Sequence, residues 1–406
     1  MRRKLFFSVL TKLGSAIYGL FLLKILSIYL EPVFFSKYYL GYNISLYLYT
    51  FLFTIQINVL LRFYHSGNRF SLTKFLHKLN VLSFFAIILF GLCLVFVFKY
   101  DWLHTLLLLV FCASFGFYNL KITLLRIKGQ FDNIFAIQII QIAICILLLL
   151  LNRDILNPNL IFCITSLANF LPFIFFKNRP QFKFLKFNYI NLFNSSELKY
   201  FNFGKPIVLI AFITYALSSS DQFFLKYYGF NQELSGYIVN YSIAEKGILI
   251  FLSVLSFVFQ PFFFKKHNHL TKSALYDVMK VSFLYLIASL FIFIIVFNFS
   301  TELTSILSSR KYINSSWIIP IVVLGGVFIG LNSFFGEILT LTYKTSLLLI
   351  SYIIGIFTNV IINYFFIPQY GVLCAIWSSV FAYFVMFISI TLFVTYQFKK
   401  NIHEYN

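Results

Sequence analysis

Apolar runs of about 18–25 residues, the length a helix needs to cross a bilayer, recur from the first residues of this chain almost to its last. In hydrocarbon every backbone amide and carbonyl must find its partner within the protein, so only helices and closed barrels can span. The runs are continuous and do not alternate every second residue, which argues against a barrel. Composition points the same way. Charged residues make up 11% of the 406 residues and hydrophobic ones 60%, whereas a water-soluble domain uses roughly 25% charged residues to wet its surface. The expected architecture is an all-α membrane protein of about twelve transmembrane helices. They fall at 6–30, 43–61, 79–98, 103–124, 133–151, 159–176, 205–220, 234–258, 278–298, 316–336, 345–366 and 372–396.

The formal charge of +20 would suggest nucleic acid in a soluble protein. Here it follows from the accumulation of Lys and Arg in cytoplasmic loops, so nucleic acid is not an expected partner. An even number of spans puts both termini on one side. Taking that side as cytoplasm leaves 23 basic residues in inner segments and 6 outside, namely Lys37, Lys99, Arg153, Lys226, Arg310 and Lys311. The expected location is a bacterial inner membrane, multi-pass, N-in and C-in. Arg2, Arg3 and Lys4 lead into the first span without a small-residue cleavage pattern, so that span is expected to be retained. The five cysteines lie in or beside apolar segments without paired spacing, as buried thiols do.

The longest connection, 177–204, is basic and expected to be cytoplasmic. It divides the chain into a six-helix lobe at 1–176 and another at 205–396, with a cytoplasmic tail at 397–406. The lobes echo each other: Phe34-Phe35-Ser36-Lys37-Tyr38-Tyr39 before Gly41 and Asn43, and Phe223-Phe224-Leu225-Lys226-Tyr227-Tyr228 before Gly229 and Asn231. Six helices per repeat is an even number, so the expected lobes form a parallel pair.

A central charge in a bilayer costs about 3 kcal/mol or more and needs a partner or a wet cavity. Glu245 and Lys246 sit near the middle of the helix expected at 234–258. Tyr237, Tyr241 and Glu245 share one face at i, i+4, i+8, and Ser242 and Lys246 lie on an adjacent one. A Glu–Lys pair, or partners on neighbouring helices, that only holds the fold is the competing reading. Lys24 lies in the outer half of the first span, where it could face a cavity or snorkel to the interface. Thr54, Asn58 and Arg62 align on the second, with anchoring the alternative for Arg62. Lys24, Arg62 and Lys246 would suit an anionic headgroup such as a diphosphate. Asn58, Tyr237, Asn240 and Tyr241 are the sugar-facing candidates, and Glu245 could answer to H+ or Na+. Asp221 ends its helix at the outer interface, within reach of solvent, and Glu337 ends another on the inner side. Asn359 and Asn363, one turn apart, suit interhelical hydrogen bonds.

Catalytic groups are not expected. The six histidines lie at loops or helix ends, and His267 and His269 lack a third metal ligand. The chain has no phosphate-binding or dinucleotide loop and no nucleophile elbow.

Three stretches carry a family resemblance. Asn359 to Asn363, then Pro368, Gly371 and Ala375, resembles a signature of the polysaccharide-transporter, O-antigen flippase branch of the multidrug/oligosaccharidyl-lipid/polysaccharide (MOP) flippase superfamily, with Cys374 where a Gly is usual. Leu61-Arg62-Phe63-Tyr64 looks like that family's Arg junction. Phe203-Gly204-Lys205-Pro206 through Ser220-Asp221 resembles the opening of its second half, with Gln222 in place of the common Arg. The resemblance implies a MATE-like pair of lobes enclosing a cavity and rocker-type alternating access. It also implies a substrate, an undecaprenyl-diphosphate-linked oligosaccharide moved between leaflets, as an O-antigen or capsule repeat unit. Cations in helices 1, 2 and 8 also resemble the cationic cavity of the peptidoglycan-precursor flippase, which adds weight to Lys24, Arg62 and Lys246. Membrane lipid, a glycan polymerase and a chain-length regulator are the implied partners. No cofactor is expected beyond coupling to H+ or Na+. An ion-coupled multidrug antiporter of the same superfamily stays open, as does a membrane enzyme acting on a lipid-linked glycan. The antiporter would want a buried acid in the first lobe, where Asp101, Asp132 and Asp154 all lie at helix edges.

The charge bias makes a direct prediction: reporter fusions at Asn406 and within 177–204 both give a cytoplasmic signal. A periplasmic signal at Asn406 would mean an odd number of spans.

Overall fold

A computed structural model describes residues 2–64, 69–97, 99–172, 195–267 and 269–405. Most of the expected connection, 177–194, lies outside the described residues. Helices run over α1 (Arg2–Tyr29), α2 (Pro32–Phe63), α3 (Arg69–Phe96), α4 (Trp102–Ile127), α5 (Phe131–Leu151), α6 (Pro158–Phe170) and α7 (Ser195–Tyr227). They continue with α8 (Asn231–Lys266), α9 (Lys272–Asn298), the short α10 (Ser300–Leu307) and α11 (Ile318–Leu341). A last run, Thr345–Tyr405, breaks at Gly371 into α12 (345–370) and α13 (372–405). Gly371 has φ 54° and ψ −133°, a conformation a side chain would strain, and a Cβ there would meet the Phe230 ring at 2.8 Å. The glycine of the sequence signature is therefore the corner between two helices.

Nine runs among the described residues are long and apolar enough to cross a membrane; one of them is the α12–α13 pair, and Gly14–Tyr29 and Pro158–Phe170 are shorter apolar helices. The chain is thus an all-helical, multi-pass membrane protein. Exposed side chains such as Leu89 (70%), Phe283 (63%) and Phe291 (66%) are lipid-facing surface in this setting, where hydrocarbon is the solvent.

Several helices outrun their apolar stretches. α2 begins at Pro32 where 43 is expected, α7 at Ser195 where 205 is expected, and α13 continues through the expected tail to Tyr405. Hydropathy detects the part that crosses hydrocarbon, whereas a helix continues for as long as its backbone bonds are made. Caps set the ends more sharply. Asp101 accepts the His104 amide at 3.0 Å, Asn157 the Leu160 amide at 2.9 Å, ahead of Pro158, and Thr271 the Ala274 amide at 3.1 Å. Each satisfies one of the orphan donors of a helix start.

These boundaries correct the basis of the internal echo. Phe34 to Tyr39 lies in the opening turns of α2, but Phe223 to Tyr228 closes α7. Gly41 is buried within α2 beside Phe162 and His104, whereas Gly229 is a turn residue at φ +86°. The two copies occupy different elements, so the echo carries no argument for a repeat.

The chain forms two compact units, Met1–Gly14 with Lys37–Phe212, and Ser15–Ser36 with Ile213–Asn406. The division falls inside α1, α2 and α7. In the first unit, Ile55, Val59, Leu60, Leu72, Phe75 and Leu79 pack against Tyr200 and Val208 of α7. At that cluster Lys78 donates 2.7 Å to Glu197, with side chains only 8% and 1% exposed. In the second unit, Ile248 and Phe263 of α8, Tyr285 of α9, Phe334 and Ile338 of α11 and Met386 and Ile390 of α13 form the core. Gly330 permits the close approach of α9 and α11, since a Cβ there would lie 2.1 Å from the Tyr285 ring, and the Tyr285 hydroxyl donates 2.7 Å to the Gly326 carbonyl.

The Lys78–Glu197 pair generates a stability prediction. Glu197→Gln leaves an ammonium buried without its counter-charge, and breaking such a pair typically costs about 3–5 kcal/mol. The purified variant should show a clearly lowered apparent Tm, partly restored when Lys78→Gln is added.

Candidate functional site

The polar centre of the second unit is Asp221, which the structure places fully inside the protein. The sequence-based expectation of an interfacial, solvated Asp221 is corrected here. α7 continues to Tyr227, so at 1.5 Å per residue Asp221 lies roughly 9 Å short of the helix end. Its carboxylate accepts the Tyr237 hydroxyl at 2.5 Å, the Ser379 hydroxyl at 2.8 Å and the Ser220 hydroxyl at 3.2 Å. Ser220 also donates to Asn359 Oδ1 at 2.5 Å, which in turn accepts from Asn363 at 3.0 Å. Asn359 Nδ2 reaches the hydroxyls of Ser378 and Ser379, both at 3.3 Å, and Ser378 donates to Asn363 Oδ1 at 2.5 Å. One network therefore joins α7, α8, α12 and α13. The expected interhelical role of Asn359 and Asn363 is realised in it. No described ion pair includes Asp221. The cluster brings together one carboxylate, two amide oxygens and several hydroxyls, hydrogen-bonded to one another.

Ser379 also borders a pocket with room for about one water molecule. Its walls are Tyr241, Glu245 and Ile248 of α8, Gly325, Gly326 and Ile329 of α11, and Ile376, Ser379 and Tyr383 of α13. Glu245 and Tyr241 thus border the same small pocket as Ser379, which hydrogen-bonds Asp221. Lys246, about 100° further round α8, points elsewhere. Its ammonium donates 2.8 Å to the carbonyl of Gly19 in α1. Gly19 has no side chain to stand in the way, and a Cβ there would come within 3.3 Å of Lys246 Cε. No described ion pair joins Glu245 to Lys246; of the competing structural reading, it is the partner on a neighbouring helix that Lys246 has, in the carbonyl of Gly19.

The remaining candidates separate. Lys24 donates to the Ile306 carbonyl at the end of α10. Asn240 is fully buried; it donates 3.0 Å to Gly236 O and 3.1 Å to Tyr312 O, and accepts from Thr304 at 2.7 Å. Tyr237 is equally buried and committed to Asp221. In this structure neither offers a group to a sugar: their polar atoms hold helices together. Asn58 and Arg62 belong to the first unit. Asn58 bonds back to the Thr54 carbonyl at 2.9 Å, and Arg62 is exposed in the last turn of α2. Among the histidines, His104 is buried and meets Asn159 at 2.6 Å, while His267 meets Asp277 at 2.7 Å alongside Lys266. Glu337, expected at an inner helix end, is hydrogen-bonded by Gln260 of α8 within α11. No group of three or more His, Cys, Asp or Glu that could hold a metal ion occurs among the described residues.

Comparison with known proteins places this geometry in a fold. No family model matches the chain. A stretch of 117 residues, 29% of the chain, is 32% identical to an uncharacterized membrane protein of Methanocaldococcus jannaschii and covers 23% of that relative. Solved structures match almost end to end. The lipid II flippase MurJ, in an inward closed conformation, aligns with TM-score 0.67 over 97% of this chain and 88% of its own, at 14% identity. An inward-facing multidrug resistance MATE family transporter of the MOP superfamily aligns with TM-score 0.65 over 96% of both chains, at 13% identity. A MOP superfamily transporter from Pyrococcus furiosus aligns with TM-score 0.60 over 97% and 93%, at 12% identity. The chain has the MATE-like fold shared by these MOP superfamily members.

The commitments of Asn240 can be tested directly. Asn240→Ala removes the donor to the Tyr312 carbonyl and leaves the Thr304 hydroxyl only its bond to the Ser300 carbonyl, a loss of about 1–3 kcal/mol for buried polar groups that lose a partner. Thermal unfolding should shift down by that amount, with transport by the folded fraction near normal.

Proposed function

We propose that the chain is a carrier, not an enzyme, that moves an undecaprenyl-diphosphate-linked oligosaccharide between leaflets of a bacterial inner membrane by alternating access. The observation that carries the reading is Lys246, a half-buried cation in the middle of a long apolar helix whose recorded partner is a neutral carbonyl. Holding a charge at depth is costly, and a phosphate oxygen would be a stronger, charge-assisted partner than a carbonyl. A lipid-linked substrate can leave its polyprenyl tail in the bilayer while its headgroup and sugars travel through the protein, avoiding the several kcal/mol that each bare polar group would cost in lipid. The likeness to a lipid II flippase supports this substrate class, and Arg62 and Lys24 are proposed as further cations for it. For the Pyrococcus furiosus transporter, reversed polarity of the binding pocket is what suggests a different function; by the same logic the sign of the buried charge bears on the cargo here. Asp221 and Glu245 are proposed as the groups that couple transport to H+ or Na+. A glycan polymerase and a chain-length regulator would act on the delivered repeat.

The same two acids keep one second reading in play, an ion-coupled multidrug antiporter with a cationic cargo, in which acids of the second unit would meet the coupling ion in place of the first-lobe acid expected of one. Deletion of the gene separates the readings. A flippase predicts loss of surface glycan with lipid-linked repeat units retained on the inner leaflet, and an antiporter predicts drug sensitivity with normal glycan. Within the flippase reading, Lys246→Ala should cut export at least tenfold while protein level stays near normal, because its recorded contact is one hydrogen bond. Equal loss of protein and export would assign Lys246 to folding instead.

A further inference from the structure

Two lysines cross the same part of the second unit in opposite senses. Lys24 of α1 donates to the carbonyl of Ile306, in the last turn of α10. Lys311, in the 3-10 helix Arg310–Ser315, donates 3.2 Å to the carbonyl of Ile28, in the last turn of α1. Carbonyls in a last turn lack intrahelical partners and carry the negative end of the helix dipole, so an ammonium is a favourable cap. The Ile28 carbonyl has a particular need of one, because the residue four further on is Pro32, which has no N–H to give. α1 thus caps α10, and the segment following α10 caps α1.

The two contacts differ in kind from what surrounds them. The 3-10 helix is anchored to α8 through buried Asn240, which donates to Tyr312 O, and the Phe35 and Tyr312 rings pack with centroids 5.9 Å apart. The lysine contacts are exposed, and exposed polar pairs are weak and readily exchanged. Neither lysine belongs to a described ion pair. The acids of these segments, Glu31 and Glu302, are exposed, and Glu302 accepts the Thr301 hydroxyl at 2.7 Å. Arg310 lies exposed beside Lys311. Basic residues are scarce on the side expected to face outward, yet two of them are adjacent here, and Lys24 comes to the same place.

We propose that Lys24 and Lys311 form an anion-released latch: they hold the C-terminal turns of α1 and α10 in place by capping their carbonyls, and a diphosphate headgroup frees those turns by drawing off both ammonium groups. The exchange replaces two contacts to neutral oxygens with charge-assisted ones, so the incoming charge itself drives release. The inference rests on the flippase reading for the identity of the anion, and it gives that reading a trigger.

Spin labels at Ile28→Cys and Ile306→Cys, both exposed side chains, report the separation while leaving the acceptor carbonyls intact. The full chain is measured in lipid nanodiscs, with its five native cysteines replaced by alanine. Undecaprenyl diphosphate should lengthen the mean distance by about 5 Å, on the order of one helical turn, and undecaprenol should leave it unchanged. The double variant Lys24→Gln, Lys311→Gln should show the longer distance without lipid and no further response, and Lys24→Arg, Lys311→Arg should restore the short one. Lengthening by inorganic pyrophosphate would support release by charge alone; a response to the lipid only would support release by a membrane-delivered headgroup. A short distance in the Gln variant, a full response to the lipid in that variant, a parent that ignores undecaprenyl diphosphate, or a parent that opens with undecaprenol would each overturn the latch. The gene deletion keeps the two proposals apart. Stranded lipid-linked repeats with unresponsive labels would defeat the latch alone, and responsive labels with normal glycan would defeat the flippase reading alone.

Discussion

A carboxylate inside a membrane helix bundle, with no cation in a described ion pair beside it, has to be held by dipoles, and Asp221 is held by hydroxyl groups from three helices. Tyr237 comes from α8, Ser379 from α13 and Ser220 from α7 itself, with Asn359 of α12 tied in behind Ser220. Each donor must keep its place or a carboxyl oxygen is left without a partner in a low-dielectric interior, where such a group costs far more than in water. The register of α7 against α8, α12 and α13 is consequently specified by hydrogen bonds as well as by shape. The α12–α13 corner at Gly371 serves the same end, turning the chain so that Asn359 and Ser378 can meet.

At the α8–α9 turn of the second unit Asp277 pairs with Lys266 and His267, but no described ion pair includes its deeper acids, Asp221 and Glu245. Asp221 accepts from Ser379, which lines a water-sized pocket together with Glu245. Lys246, Lys24 and Lys311 donate instead to carbonyls of α1 and α10. Had Glu245 and Lys246 closed on each other, both charges would be neutralised locally and neither would be available to an ion or an anionic cargo. Consecutive positions on a helix diverge by about 100°, which keeps the two apart without any further device. The first unit shows the contrasting solution: Lys78 and Glu197 are buried and paired at 2.7 Å. That arrangement ties α3 to the start of α7 and leaves neither charge over for chemistry.

Much of this was legible in the residues. Continuous apolar runs gave the all-helical membrane class, and the Asn–Pro–Gly stretch at 359–371 marked the turn that the structure forms. Mid-helix depth singled out Glu245 and Lys246 as groups needing a partner. Other readings failed for identifiable reasons. Asp221 was assigned to an interface because hydropathy ends a helix where apolar residues stop, and Ser218-Ser219-Ser220 stops them two turns early. Tyr237 and Asn240 were taken as sugar-facing because a periodicity shows which residues share a helix face but not what that face meets. The Phe-Phe-x-Lys-Tyr-Tyr echo is no evidence for the paired lobes, because a motif alike at five of its six positions opens one helix and closes another.

What the sequence determined by itself is what depends on free energy of transfer summed along the chain: that it crosses membranes as helices, roughly where, and which positions carry a charge deep enough to need a partner. Those quantities are local, since each residue meets lipid or interface according to its own place in a run. The partners were decided only by the tertiary structure. That Asp221 meets Ser379 158 residues away, that Lys246 reaches back to Gly19 across 227, and that Lys24 and Lys311 cap each other's helices depend on helix rotation and approach. A rotation of one residue, about 100°, would redirect every one of these side chains, and no sum over composition or periodicity contains that angle.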